Sequence, residues 1–239
     1  MPERRAELAT ALAQVRTRIA DACTAAGRDR GEVTLVAVTK TYPATDVLHL
    51  AALGVRDIGE NRDQEAAPKA LAVAAAGESV RWHFVGQLQR NKCRSVVGYA
   101  DLVHSVDSVR LVRTLGTAAQ RYRPDPLDVL VQVSLDGDPE RGGAVESGDP
   151  DRQLDRVAEA VAGTAALRLR GVMTVPPVDW VPERAYARLA QLAAELRRDH
   201  PEATLVSAGM SGDLEPAIAF GATHVRIGSA LLGNRAPLR

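Results

Sequence analysis

Two periods of apolar and polar positions alternate along the chain. In residues 3–26, Leu8, Leu12, Val15, Ile19 and Cys23 form one stripe among Arg and Glu, the spacing of a helix with one buried face. On this reading Cys23 is a small core residue, and Gly27 is placed to cap the helix C-terminus. The run Val33-Thr34-Leu35-Val36-Ala37-Val38-Thr39-Lys40 is β-branched and nearly continuously apolar, which suits a strand covered on both faces. Pro43 ends it, and residues 44–53 read as a helix closed by Gly54. Further strands are expected at Val55–Gly59, Arg81–Val85, Asp101–Val106, Asp128–Val133, Leu169–Thr174, Ala203–Val206 and His224–Ile227. Helical patterns fill residues 61–76, 89–97, 107–122, 150–165, 181–199 and 212–220, with a short last piece at Ser229–Leu232.

Strict alternation of strand and helix predicts a parallel sheet. About eight such units in a chain of this length predict a closed (β/α)8 TIM barrel. The fold class expected is therefore α/β, a single barrel domain over residues 1–239 with an extra N-terminal helix. An open doubly wound sheet is the alternative, and the absence of a G-x-G-x-x-G after the first strand counts against a dinucleotide fold. The polar stretch Ser134–Asp149, rich in Gly and Asp, is expected to be a mobile loop over one barrel face.

Composition narrows the classes. Thirty basic and 30 acidic residues give zero formal net charge, which argues against a general nucleic-acid binder. No apolar stretch approaches the length of a membrane span, and the first 28 residues are too charged for a secretory signal. Two cysteines, Cys23 and Cys93, can build neither a disulfide framework nor a four-ligand zinc site. A cytoplasmic protein without a metal centre is expected.

In a barrel of this kind, chemistry collects at the carboxyl ends of the strands. Lys40 closes the first strand there. A lysine at an apolar barrel mouth is expected to be partly desolvated, which disfavours its ammonium form and lets it form an imine with a carbonyl; alternatively it points into water. Lys69 reads as a solvated charge on a polar helix face, and Lys92, at the start of a helix, stays ambiguous. Gly209-Met210-Ser211-Gly212-Asp213 and Arg226-Ile227-Gly228-Ser229 join the last two strands to helices. Their free N–H groups and hydroxyls suit an anion, in the place where barrels bind phosphate; ordinary turn chemistry is the other reading. A strand-end lysine facing a phosphate cradle suits a ligand carrying both an aldehyde and a phosphate, as pyridoxal 5'-phosphate does.

Six segments, in order along nearly the whole chain, resemble the pyridoxal phosphate homeostasis proteins, single-domain relatives of the alanine racemase barrel. They are Val36-Ala37-Val38-Thr39-Lys40, Ile58-Gly59-Glu60-Asn61-Arg62, residues 82–92, Gly171-Val172-Met173-Thr174-Val175, Gly209-Met210-Ser211-Gly212-Asp213 and His224-Val225-Arg226-Ile227-Gly228-Ser229. The resemblance implies that Lys40 forms the imine with pyridoxal 5'-phosphate and that Ser211, Gly228 and Ser229 hold the phosphate, Gly212 lying in the same loop. It implies that Arg226 faces the pyridine nitrogen and that Asn61 and Met173 line the cofactor. His83 lies in a matching segment but reads equally as a core histidine. The family often has Thr at Ser229 and Ile-Phe at Leu231-Leu232, and the loop at Arg141-Gly142-Gly143 is only loosely alike, so it is given no role.

A guanidinium opposite the ring nitrogen disfavours its protonation and weakens the ring as an electron sink. The racemases that this chain resembles also take a second acid/base group, a tyrosine, from a β-rich domain of a partner subunit, and no such domain is expected here. Tyr42, close to Lys40, either lines the site or packs against the rim. The expectation is a non-catalytic, monomeric carrier that buffers pyridoxal phosphate through a reversible lysine imine and hands it to apo-forms of pyridoxal-dependent enzymes, with no nucleic-acid or membrane partner. An amino-acid racemase or related enzyme is the alternative. A cofactor-free protein in which Lys40 captures a sugar-phosphate ketone is a third reading.

Overall fold

The computed structural model describes residues 2–138 and 142–233. Eight parallel strands close into a barrel in sequence order. They are β1 (Thr34–Val38), β2 (Asp57–Glu60), β3 (Arg81–Phe84), β4 (Leu102–Val106), β5 (Leu127–Gln132), β6 (Leu167–Met173), β7 (Leu205–Ser207) and β8 (His224–Ile227). The barrel closes where Thr34, Leu35, Val36 and Ala37 pair with His224, Val225, Arg226 and Ile227. Helix α1 (Pro2–Ala25) precedes β1; α2 (Ala44–Ala52), α3 (Asp63–Ala75), α4 (Cys93–Val96), α5 (Val109–Tyr122), α6 (Leu154–Ala162), α7 (Pro182–Asp199) and α8 (Leu214–Ala219) return the chain between strands, and α9 (Ser229–Leu232) follows β8. The expected (β/α)8 barrel with an extra N-terminal helix is the architecture found.

Period-two alternation divides the strand residues between two environments. Leu35 and Ala37, Val103, Val129 and Val131, Val225 and Ile227 join the apolar layer between barrel and helices. Leu102, Leu130 and Met173 meet in a separate small cluster. Helix α1 lies against α2, α8 and α9, with Leu8, Leu12, Val15, Ile19 and Cys23 buried. Each of these large side chains contributes about 1.5–3 kcal/mol on leaving water. Gly27 ends α1 as its sequence position predicts. Arg28 N–H bonds to the Cys23 carbonyl (2.9 Å) and Gly27 N–H to Thr24 (3.1 Å), the paired pattern of a Schellman cap.

Differences from the sequence reading lie at element ends. The helix expected from residue 150 begins at Leu154, because Asp149 first folds a turn. Its carboxylate accepts from Asp151 N–H at 2.9 Å and its carbonyl from Arg152 N–H at 2.8 Å. Residues 89–97 divide into a 3-10 turn, Arg90–Lys92, and the short α4. The stretch 134–149 is tied back by bridges pairing Val133 with Ala144 and Val145 with Gln153; Arg141 lies outside the described residues.

Candidate functional site at the carboxyl rim

Strand β1 places Lys40. Thr39 N–H still bonds to the Gly59 carbonyl at 2.9 Å, and the chain then leaves the sheet. Thr41 adopts φ 69°, a left-handed conformation unusual for a β-branched residue. Lys40 is consequently exposed and forms no hydrogen bond or ion pair among the described residues. The partial desolvation expected of it is not found, because this turn lifts the side chain off the apolar strand.

The other two lysines are engaged. Lys69 is not a solvated charge. Its side chain is 7% exposed and pairs with Glu60, itself 0% exposed, while its Nζ donates to the Thr39 carbonyl at 2.9 Å. Helix α3 turns this residue toward the barrel, where the β2 carboxylate accepts it. Lys92 Nζ stands 3.9 Å from Asp63 Oδ2.

Across the rim, the loops after β7 and β8 meet. Ser211 Oγ accepts from Ala230 N–H at 3.2 Å, and Arg18 on α1 holds the Ser211 carbonyl at 3.0 Å. Gly209 has φ +89°, and a Cβ there would lie 2.6 Å from the Cβ of Ala217, so only glycine lets α8 pack this close. Asp213 is fully used: Oδ1 accepts from Met210 N–H (2.6 Å) and Oδ2 from the Tyr186 hydroxyl (2.6 Å). A Cβ on Gly212 would meet nothing within 4 Å, whereas one on Gly228 would lie 3.6 Å from the Val38 carbonyl oxygen. The β8 loop thus abuts the end of the strand that carries Lys40, and the space above Gly212 is open.

Arg226 projects inward from β8, is 5% exposed, and donates to Ser207 Oγ and the Thr174 carbonyl, both at 2.7 Å. Burial pushes its guanidinium down to about 10, against the opposing fields of Tyr186 and Asp213, so it remains charged at neutral pH. The chain of contacts continues. Ser207 Oγ lies 2.9 Å from His104 Nδ1, His104 Nε2 lies 2.9 Å from His83 Nδ1, and His83 Nε2 lies 2.9 Å from Asp57 Oδ1. The roles at its two ends are fixed, since a guanidinium only donates and a carboxylate only accepts. Arg226 therefore donates to Ser207 at one end, and His83 Nε2 donates to Asp57 at the other. Burial holds His104 well below the usual histidine range, which keeps it neutral. Burial would raise the Asp57 carboxyl, but the His83 hydrogen bond and nearby positive charge hold it below its ordinary value. His83 is thus a core histidine, as one of its two readings held. His104, Ser207 and Asp57 were not singled out in the sequence; the signal was a polar residue inside an otherwise apolar strand.

Asn61 follows β2 at the rim. Its backbone is so close to Gly86 that a Cβ there would fall 2.1 Å from the Asn61 carbonyl oxygen. Met173, 1% exposed, packs with Leu102 and Leu130. Tyr42 donates to the Gly233 carbonyl at 2.6 Å and lies under Arg4, 5.7 Å from its ring centroid, which is the rim-packing alternative. Lys40, Asn61, Ser211, Gly212, Gly228 and Ser229 therefore all sit at the carboxyl end of the barrel, with Arg226 and Met173 on the strands beneath. Among the described residues no group of His, Cys, Asp or Glu is arranged to hold a metal ion, and no helix is long and apolar enough to cross a membrane.

Comparison with known proteins places this rim in a family. Residues 11–236 match the model of the alanine racemase N-terminal domain. The chain is 47% identical over 98% of its length to the pyridoxal phosphate homeostasis protein of Mycobacterium bovis, covering 95% of that protein. It is 38% identical over 96% of its length to the protein of that name in Escherichia coli K12, covering 97% of it. The structure of PipY from Synechococcus elongatus with PLP bound superposes with a TM-score of 0.80 and 32% identity, over 95% of this chain and 100% of that one. Alanine racemase from Clostridium difficile shares the fold alone, with a TM-score of 0.69 at 13% identity over 97% of this chain and 57% of its own. The chain belongs to the pyridoxal phosphate homeostasis proteins, within the alanine racemase N-terminal domain family.

Proposed function

We propose that this protein binds pyridoxal 5'-phosphate at the carboxyl rim and acts in pyridoxal phosphate homeostasis as a reversible carrier. The observation that carries the reading is the state of the three lysines. Lys69 and Lys92 face buried carboxylates, while Lys40 is exposed and without a partner among the described residues. When bound, the cofactor would supply an aldehyde, and the Lys40 amine would be the group that holds it through a reversible covalent link.

The surrounding residues fit such a ligand. The N–H of Gly212 has no carbonyl acceptor among the described residues, and that of Ser229 opens α9, where intrahelical acceptors are lacking. With the hydroxyls of Ser211 and Ser229 and the Gly228 backbone, they form the proposed phosphate cradle. Arg226 is a buried donor without a carboxylate in contact among the described residues, so it suits an unprotonated ring nitrogen. Asn61 at the rim and Met173 on β6 are proposed to line the cofactor. The family name of the relatives and the PLP bound by PipY agree with this assignment.

The carrier is proposed to be non-catalytic, monomeric and cytoplasmic, with apo-forms of pyridoxal-dependent enzymes as recipients. A ring whose nitrogen is kept unprotonated is a weak electron sink, whereas transfer to another amine needs no cleavage at Cα. The test is borohydride reduction of the loaded protein followed by peptide mass spectrometry. Label on Lys40, and its loss in Lys40→Ala, is expected; label on Lys69 or Lys92 overturns the site. Solvent deuterium exchange at Cα of added amino acids, at enzyme-like rates, would overturn the carrier in favour of a racemase-type catalyst.

A further inference from the structure

We propose that Lys69 is a positioning residue for Lys40: it closes the end of β1 and balances the charge of the buried Glu60 carboxylate, which is bonded to the residue before Lys40. Its importance for cofactor capture rests on the reading of Lys40 given above; its effect on the amine does not.

The geometry brackets Lys40 on both sides from one helix face. Lys69 and Glu65 are four residues apart on α3, the spacing of neighbours on a helix surface. Lys69 Nζ donates to the carbonyl of Thr39, the residue before Lys40, at 2.9 Å. Glu65 Oε2 accepts from the backbone N–H of Thr41, the residue after it, at 2.7 Å. Thr41 keeps its left-handed φ of 69° in this clamp, and the turn presenting Lys40 is held at each end.

Glu60 supplies the electrostatic half. Its Oε1 accepts from Thr39 Oγ1 at 2.5 Å and from Lys69 Nζ. Its Oε2 is buried with no hydrogen bond among the described residues. The other titratable groups around it are Asp63 and Glu65 on α3, Tyr99 before β4, and Lys92 beside Asp63. Most of these are acidic or neutral, so Lys69 is the cation that balances Glu60. Burial pushes the Glu60 carboxyl up, against the pull of Lys69 and Thr39. Without Lys69, this carboxylate is left uncompensated against Thr39, the residue before Lys40. An unbalanced negative charge near an amine favours its ammonium form, which has no lone pair to offer a carbonyl.

The test uses the cofactor-free protein. Competitive acetylation with trace acetic anhydride across pH, read at the Lys40 peptide by mass spectrometry, measures the proton affinity of this amine. Lys69→Met is expected to raise the Lys40 midpoint by about one pH unit. Glu60→Gln leaves the Lys69 charge without its carboxylate and is expected to lower it. The double variant Lys69→Met/Glu60→Gln is expected to return to the parent value, and Lys69→Arg to stay near it. Shifts of opposite sign that cancel are not produced by loosened packing. If Lys69→Met does not fold, Glu60→Gln and the double variant still decide the matter. Unmoved midpoints, or single and double variants displaced in the same direction, overturn the proposal. Borohydride labelling of the loaded parent then separates the two claims. Coupling without label on Lys40 sinks the cofactor site alone, and label without coupling sinks the role of Lys69 alone.

Discussion

The barrel interior and its carboxyl rim use polar residues in opposite ways. Inside, Arg226, Ser207, His104, His83 and Asp57 form a continuous hydrogen-bonded file. At the rim, Lys40 stands exposed, and the Gly212 N–H has no acceptor among the described residues. Buried polar groups are expensive when unpaired, and in this file the Ser207 hydroxyl and all four ring nitrogens of His83 and His104 have partners. Solvent hydrates an open N–H or amine at little cost, so the rim can leave groups for an exchangeable ligand. The division suits a binder whose recognition elements stay fixed while its attachment point comes and goes.

The sharpest way to break this contrast is Ser207→Ala. It strands Arg226 and His104 together, and at about 1–3 kcal/mol for each unsatisfied buried group it should destabilise the fold by roughly 3 kcal/mol in urea unfolding. The borohydride label on Lys40 should survive; its loss in a folded variant would show that rim and interior are not separable.

Acidification probes the interior next. Burial holds His104 well below 6.5 and His224 down to about 4. Below pH 6.5 the unfolded chain therefore binds protons that the folded one refuses, and stability must fall as pH drops from 6.5 toward 4. The slope should approach about 1.4 kcal/mol per pH unit for each histidine, and His224→Gln should remove one share of it. Asp57, held below its usual value, adds a loss only at still lower pH, as it protonates. A flat unfolding midpoint between pH 6.5 and 5 would contradict the neutral interior.

The smallest effect on folding belongs to Ser211→Ala, which removes one hydrogen bond between the two rim loops. About 1 kcal/mol or less is expected, measured by thermal unfolding, together with faster loss of pyridoxal phosphate on dialysis. A large stability loss with unchanged retention would reverse the assignment of that loop.

Much of this was readable from the chain. Strand-helix alternation is a local pattern, and the barrel followed from it. The glycine turns after β7 and β8 also carried their signal locally. What escaped was contact between distant residues. Lys69 sits among Asp63, Gln64 and Glu65 on a face that looks solvated, and nothing in its spacing announces that Glu60 on the preceding strand lies beneath it. The left-handed Thr41 is similarly unmarked, since no glycine advertises it, and it decides that Lys40 is exposed. His224 and Arg226, two apart on one strand face, were the visible hint of a polar interior. Without register, though, they could not be connected to Ser207 or His104.

The file beneath Arg226 has one more consequence. A chain of hydrogen bonds conducts protons only if one end can release a proton and the other can accept it. Here the upper end is a guanidinium that does not let go, and at the lower end the His83 nitrogen facing Asp57 already carries its hydrogen. The column therefore holds the arginine in place without offering it a route for proton exchange along its own hydrogen bonds.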